Sequence, residues 1–445
     1  MGQGFYLKPC TTTSKTLAET VASIEELLTE ILLRVPAKPL LRFKCVSKRW
    51  LSLISNPKFC HRHTLQNPNS SISAVFRHSS KNFSFISIPP DHDPSGHDHI
   101  SARWNPLSVI ANQYGDIDII HSCNGLFLCC PHGKKNKKTG ISACFVLNPT
   151  TNQFLTLAIP RAEPSYIMGC SLAFDPSKSP HYKVIIIDSI YGVVECQQYK
   201  ILIYSSETRT WRLLDSIFNM NHRIDYIHGV YWNGAIHWIG LFCEISYYHV
   251  DEERVKFVKS TPHCYQKKWQ DREYSYFKES SGGHLHLIDM YKPCLTKFEV
   301  LEMGRDYSGW FVKYNVDLDP LCTSFSTGFR YGVYFVLFLE RVENEEEDSS
   351  SLFLHIPGQV VSWNLKSKTF KSFQLTNDQD FLVEENNYLY KETLAYGLLL
   401  KLDDAIGLDH FQTLFRELML QLKVKAGNYN AVRILLHSLR AVPNM

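Results

Sequence analysis

The sequence predicts an α+β multidomain protein: an N-terminal three-helix module, an all-β, propeller-like repeat domain, and a short C-terminal helical extension. Three observations carry this. Apolar residues recur at helical spacing over 23–59. From about residue 70 to 390, paired β-rich runs around short polar turns come back again and again. After residue 390 the apolar period is again that of a helix. The boundaries that follow are a disordered tail over 1–22, the helical module over 23–66, the repeat domain over 67–390 and the extension over 391–445.

The helical module holds SIEELLTEILLRVPAKPLLRFKCVSKRWLSLISNPKF (23–59). Leu27, Leu28, Ile31, Leu32 and Val35 form an apolar stripe, and Ser23 with Glu26 reads as a capping box that starts the first helix. Pro36 ends that helix, and Pro39 suits the first turn of a second, where its missing N–H costs nothing. The second helix carries Leu40, Leu41 and Phe43, with Cys45 and Val46 following. A third holds Trp50, Leu51 and Ile54 before Asn56–Pro57 stops the run. Three short helices cannot bury all of these side chains against one another. Arg42, Lys44, Lys48 and Arg49 supply a charged rim to an apolar patch anchored by Trp50, the pattern of a protein–protein contact or of a hairpin packed on its own downstream domain.

The repeat domain shows its unit in FVLNPTTNQFLTLAIP (145–160), ILIYSSETRTWRLLDSI (201–217), YYHVDEERVKFVKSTP (247–262) and VVSWNLKSKTFKSFQL (360–375), with a degenerate copy at 295–318. Each is a hairpin signal. Ahead of most lies a second strand pair turning at glycine: CNGLFLCC (123–130), GVYWNGAIHWIG (229–240), GGHLHLIDM (282–290) and YGVYFVLFLE (331–340). An irregular spacing of about 45 to 60 residues fits four-stranded blades with variable loops. Repetition of whole strand-pair units favours a propeller over a large β-sandwich. In the extension, DHFQTLFRELMLQLKV (409–424) and NAVRILLHSLRAV (430–442) carry apolar stripes, read as a cap on the propeller's edge.

Residues 23 to about 65 resemble an F-box, the helical module that docks a subunit onto the Skp-family adaptor of cullin-based ubiquitin ligases. EELLTEILLRVPAKPLLRFKCVSKRWLSLISNPKF follows the plant pattern almost position by position. It departs only at Ser23–Ile24, where the family usually has Leu-Pro. Residues 70–390 are similar to the F-box-associated domain of plant F-box proteins, in Asn124–Gly125–Leu126, Asn148–Pro149–Thr150 and Trp232–Asn233–Gly234 through His237–Trp238. The resemblance implies a non-catalytic substrate receptor. Its adaptor contacts would be Leu27, Leu28, Ile31, Leu32, Val35, Pro36, Leu40, Leu41, Cys45, Val46 and Trp50, a cullin would join through the adaptor, and an unidentified target protein would sit on the repeat domain. The other reading left open is a propeller enzyme or carbohydrate-binding module with an N-terminal helical cap.

The remaining features bound the chemistry. A net charge of +3 is too small to imply a nucleic-acid or membrane surface. Thirteen cysteines without CxxC pairs, behind an N-terminus that lacks an apolar run, lead us to expect reduced thiols, no disulfide, and a cytoplasmic or nuclear protein. KKNKK (134–138) and ENEEED (343–348) read as solvated hairpin tips. SSETRTW (205–211) resembles the Asp-box turn of sialidase-type propellers, without its aspartate and glycine. His61/His63, His97/His99 and His284/His286 stand two apart, but no carboxylate or cysteine joins them at ligand spacing, so neither metal nor cofactor is expected. No GxSxG, Walker A or GxGxxG motif occurs.

Overall fold

The computed structural model describes residues 24–67, 72–78, 83–88, 105–132, 143–160, 165–190, 198–214, 218–219, 224, 226–240, 244–258, 269–325, 334–341, 350–374 and 387–395. The N-terminal tail, both charge runs, His97/His99 and the two helices expected after residue 408 lie outside the described residues. The chain divides into two compact units, one containing residues 1–66 and the other residues 67–400.

Among the described residues four helices, not three, build the N-terminal module: α1 (Glu25–Leu32), α2 (Ala37–Phe43), α3 (Lys48–Ile54) and α4 (Pro57–Gln66). The start of α1 also differs from the expected capping box. Ile24 is its N-cap, with no side-chain cap, and Ser23 lies outside the described residues. Glu25 and Glu26 in the first turn instead favour the positive end of the helix dipole. Arg34 and Val35 tighten into i→i+3 bonds to Ile31 and Leu32, and Pro36 serves as N-cap of α2, with Pro39 in its first turn. Ser47 caps α3, its hydroxyl accepting from the Trp50 N–H at 3.2 Å. Asn56–Pro57, read as a stop, is a start. The Asn56 carboxamide accepts from the Lys58 N–H at 2.9 Å, and Pro57 takes the first helical position.

The second unit is a ring of antiparallel sheets. The first blade is β3 (Ile117–Cys123), β4 (Leu126–Pro131), β5 (Ala143–Asn148) and β6 (Gln153–Ala158), preceded by helix α5 (Ser108–Tyr114). The second is β7 (Ser165–Ala173), β8 (Lys183–Ile190), β9 (Gln198–Ser205) and β10 (Thr210–Leu213), with β11 (Phe218–Asn219) also on β9. The third is β12 (Val230–Trp232), β13 (Ala235–Ile239), β14 (Ile245–His249) and β15 (Arg254–Val258). The fourth is β16 (Arg272–Glu279), β17 (Leu285–Tyr291), β18 (Lys297–Met303) and β19 (Trp310–Asp317), followed by α6 (Asp319–Ser324). The fifth is β20 (Phe335–Glu340), β21 (Ser351–Ile356), β22 (Gln359–Asn364) and β23 (Phe370–Gln374). A three-stranded sheet closes the ring: β1 (Ile72–His78) and β2 (Phe83–Ser87) from the beginning of the unit pair with β24 (Asn387–Lys391) from its end, in the order β2–β1–β24.

An apolar core lies between every neighbouring pair of sheets. Phe127 and Phe145 of the first blade meet Phe76 and Tyr390 of the closing sheet. Leu128 and Val146 meet Leu172 and Val184 of the second blade. Ile185 and Ile201 meet Ile236 and Trp238 of the third, and Trp232 and Tyr247 meet Leu285 and Met303 of the fourth. Ile288 and Val300 meet Leu339 and Leu354 of the fifth, and Leu337 and Phe353 return to Ile72 and Val75 of the closing sheet. A cycle of face-to-face sheet contacts defines a propeller, as the repeats predicted. The five hairpin copies seen in the sequence are the third and fourth strands of the five blades.

In each blade the first strand is innermost, and neighbouring first strands approach one another, β24 to β3, β3 to β7, β7 to β12 and β12 to β16. The meander makes these strands run the same way, so their C-terminal ends gather on one face around the axis.

Candidate functional site

On α1 the apolar stripe splits in two. Leu28, Leu32 and Val35 are buried, at 1–3% exposure, while Ile24 and Leu27 stand 40% and 45% exposed and Ile31 is half-buried. Leu27 and Ile31 are four apart and Ile24 precedes them by three, so these share one outward face. On α2, Leu40 is fully buried beside Ala37 and Phe43, whereas Leu41 is half-buried. Pro36 and Cys45 are exposed, and Val46 and Trp50 half-buried, the Trp50 ring meeting Phe43 edge-on at 5.5 Å. The eleven expected contact residues therefore separate. Leu28, Leu32, Val35 and Leu40 are interior and hold the module's shape; Leu27, Ile31, Pro36, Leu41, Cys45, Val46 and Trp50 reach solvent.

Leu65 on α4, 47% exposed, and Ile24 were not singled out in the sequence. Leu65 lies on the helix that reading the Asn56–Pro57 step as a stop had hidden. Of the expected basic rim, Arg42, Lys48 and Arg49 are exposed. Arg49 stands 3.9 Å from Glu25, and Arg62 of α4 pairs with Glu30 at 2.6 Å. Lys44 is half-buried, and burial lowers its pKa. His63, read as one of an i, i+2 strand pair, is on α4 and buried, its Nε2 2.7 Å from the Val35 carbonyl.

In the propeller, the motif residues join blades. The Asn124–Gly125 and Asn233–Gly234 turns have φ of 45° and 88°, and 49° and 77°, the left-handed pairs that Asn-Gly adopts readily in two-residue hairpins. The Asn124 carboxamide donates to the Phe174 carbonyl of the second blade at 2.8 Å. Trp232 Nε1–H donates to the Gly283 carbonyl at 2.9 Å and Asn233 to the Arg305 carbonyl at 3.0 Å, both in the fourth blade. His237 lies nearly parallel beside Tyr247 and Tyr307, which stack on each other at 4.5 Å, with its Nε2 3.0 Å from the Tyr307 hydroxyl. Asn148 donates to the carbonyls of Thr393 and Ala395, each at 3.2 Å, and Thr150 meets the Tyr390 hydroxyl at 3.0 Å. The Asn148–Thr150 motif thus fastens the first blade to the segment that closes the ring.

Three buried histidines complete this network. The Leu172 N–H donates to His121 Nδ1 at 3.2 Å, which leaves Nε2–H to donate to the Gly229 carbonyl at 2.7 Å, so one ring links three blades. Burial pushes the pKa of His121 down to about 4, and that of His237 to about 3. His286 and its neighbour His284 do have a carboxylate partner, contrary to the sequence reading. Glu302, opposite His286 in the β17–β18 register, lies 3.0 Å from His284 Nδ1 and 3.2 Å from His286 Nε2, and accepts from the Arg341 guanidinium. Among the described residues no group of three His, Cys, Asp or Glu could hold a metal ion. SSETRTW is the β9–β10 turn, closed by the Arg209 N–H on the Ser205 carbonyl at 2.8 Å.

Fold and site together define a two-module protein, a helical module with an outward apolar face and a β-propeller whose motif residues are engaged in joining its blades. Residues 25–62 match the F-box domain family, and residues 71–276 match the F-box associated beta propeller domain family. The protein is 33% identical over 404 residues to F-box protein At5g07610 of Arabidopsis thaliana, covering 86% of this chain and 93% of that one. It is 24% identical over 376 residues to F-box protein DOR of the same plant, covering 81% and 90%. The chain belongs to the plant F-box proteins that carry an F-box-associated β-propeller domain. The propeller family match ends within β16, while the ring continues through the rest of the fourth blade, the fifth blade and β24.

No helix among the described residues is long and apolar enough to cross a membrane. Nine described cysteines are free thiols, six of them buried.

Proposed function

We propose that this protein is the substrate-recognition subunit of a Skp–cullin–F-box ubiquitin ligase, non-catalytic itself, and active in the cytoplasm or nucleus. The observation that carries this is the apolar surface left outward by an F-box that keeps a core of its own: Leu27, 45% exposed, and half-buried Ile31 on α1, with half-buried Leu41, Val46 and Trp50 on the segments that follow. Apolar surface of this kind marks a contact for another chain. The Skp-family adaptor covers it and brings the cullin scaffold. The propeller holds the target, and transfer is accelerated because a bound target lysine is kept near the charged conjugating enzyme. No side chain of this chain needs to act as acid or base.

The test is titration of the full-length chain with a purified Skp-family adaptor. Leu27→Ala together with Leu41→Ala removes two reachable anchors and should weaken binding by at least about tenfold, with thermal unfolding unchanged. Leu40→Ala, at a fully buried position, should lower unfolding stability by about 2–5 kcal/mol instead. Undiminished adaptor binding by the folded double variant would sink the docking assignment.

A further inference from the structure

The C-terminal ends of inner strands from five sheets meet on one face of the propeller: Cys123 of β3, Asp175 just past β7, Tyr231 of β12, Glu279 of β16 and Lys391 of β24. Charges there sense one another across blades, Glu279 with Lys391 and Asp175, and Cys123 with Glu279, Lys391 and Asp175, while Arg305 acts on Glu279 from within its own blade. At this mouth the β16–β17 turn leaves a notch. A methyl group placed on Gly283 would have two nearest neighbours beyond its own turn, Glu279 Oε1 and Arg305 Nη2, each 3.9 Å away. The two do not form an ion pair, although they lie at most twice that distance apart.

The walls of the notch are held from the next blade. Trp232 fixes the Gly283 carbonyl and Asn233 the Arg305 carbonyl, through the bonds of 2.9 and 3.0 Å already described. Glu279 is half-buried and Arg305 exposed, so the notch opens to solvent. An acceptor on one wall and a donor on the other, a few ångströms apart on backbone held from the next blade, suit a group that donates at one end and accepts at the other. A carboxamide does this. Burial raises the pKa of Glu279 to about 7, and the mouth holds both signs, Asp175 beside Arg305 and Lys391, so a ligand of either charge would meet a like charge where a neutral carboxamide meets none.

We propose that this notch is the target-reading site of the propeller, and that it takes the carboxamide of an asparagine or glutamine side chain from a segment of the target protein. Glu279 accepts from its NH2 group and the Arg305 guanidinium donates to its carbonyl oxygen. The inference rests on the substrate-receptor reading.

The probe is a random dodecapeptide display library selected on the immobilised full-length chain, with winners remade as synthetic peptides. Enrichment of Asn or Gln at one fixed position is expected, with binding lost at least tenfold in Glu279→Met and in Arg305→Met. Glu279→Met keeps side-chain length and Arg305→Met keeps an unbranched apolar stem, and circular dichroism melting checks the fold. Asp, Glu, Lys or Arg at the fixed position would overturn the carboxamide assignment. No enrichment, or peptides indifferent to both substitutions, would overturn the site. Adaptor titration of the same variants separates the outcomes, since a failed notch leaves adaptor binding intact and a failed receptor reading does not.

Discussion

His121 shows what a single buried ring does in this protein. It accepts from one blade and donates to another only while neutral, and burial depresses its pKa from 6.5 to about 4. In the unfolded chain the ring is free to protonate below its ordinary value. Above pH 6.5 neither state binds the proton and the stability contribution is complete. As the pH falls from 6.5 to about 4 the unfolded state alone takes up a proton, and stability is lost at up to about 1.4 kcal/mol per pH unit. His237, depressed to about 3, acts in the same direction. We predict that urea unfolding weakens steadily below pH 6.5, before most carboxylates titrate. His121→Gln should be less stable at pH 7.5 yet lose about 1 kcal/mol less between pH 6 and 5; an unchanged acid slope would count against this role. Little of it was legible in the sequence. His284 and His286 could be seen to share a strand face, but Glu302 is brought to them by the β17–β18 register, and Arg341 comes from the next blade.

At the scale of the element, the outer hairpins explain why the repeats are recognisable yet loosely spelled. Four of them turn at NPTTN, SSETR, HVDEE and NLKSK, and in each the fifth residue is left-handed: Asn152 at φ 56°, Arg209 at 57°, Glu253 at 55° and Lys368 at 55°. The first residue accepts the closing bond in three, from Arg209, Glu253 and Lys368 at 2.8, 2.9 and 3.1 Å. Backbone geometry repeats where side chains do not, because the loop needs only a residue that tolerates positive φ and an early polar group to bind its own N–H groups. Asn148 and Asn364 both do the latter. The fourth blade departs, turning through Gly304 to Gly309 with Tyr307 at φ 60°, and this is the copy that looked degenerate. Lys368→Val should cost about 1–2 kcal/mol in chemical denaturation, since a β-branched side chain clashes in this region, and Lys368→Gly should cost close to nothing. Equal effects would contradict the shared turn. The hairpins and the blade class were therefore legible from strand patterning. The fourth F-box helix was not, because Asn-Pro signals a stop and a start with the same letters, and neither was the division of the α1 leucines, which depends on what packs against each face.

For the whole molecule, the ring holds because its two ends share one sheet: Val75, Phe76 and Arg77 pair with Leu389, Tyr388 and Asn387. Tyr390 adds its ring against Phe76 and Phe127, at 5.8 and 6.4 Å, and Asn148 grips the carbonyls that follow. A chain ending after residue 386 loses the inner strand of the closing sheet and leaves β1 and the first blade with uncovered apolar faces. It should unfold without a cooperative transition or aggregate, whereas a chain ending after residue 400 should keep a sharp thermal transition. Matching melts for the two would show that closure is dispensable. The same closure imposes an order on biosynthesis. The helical module is complete by residue 66, but β1 must wait for a partner roughly 300 residues behind it, about half a minute of translation at ~10 residues per second. For that interval the nascent chain has its helical module and no finished ring. On the receptor reading proposed above, a message truncated between residues 67 and 386 would thus yield a product that keeps the docking helices while recognising nothing, so such a nonsense allele would act as a competitor for the adaptor rather than as a simple loss.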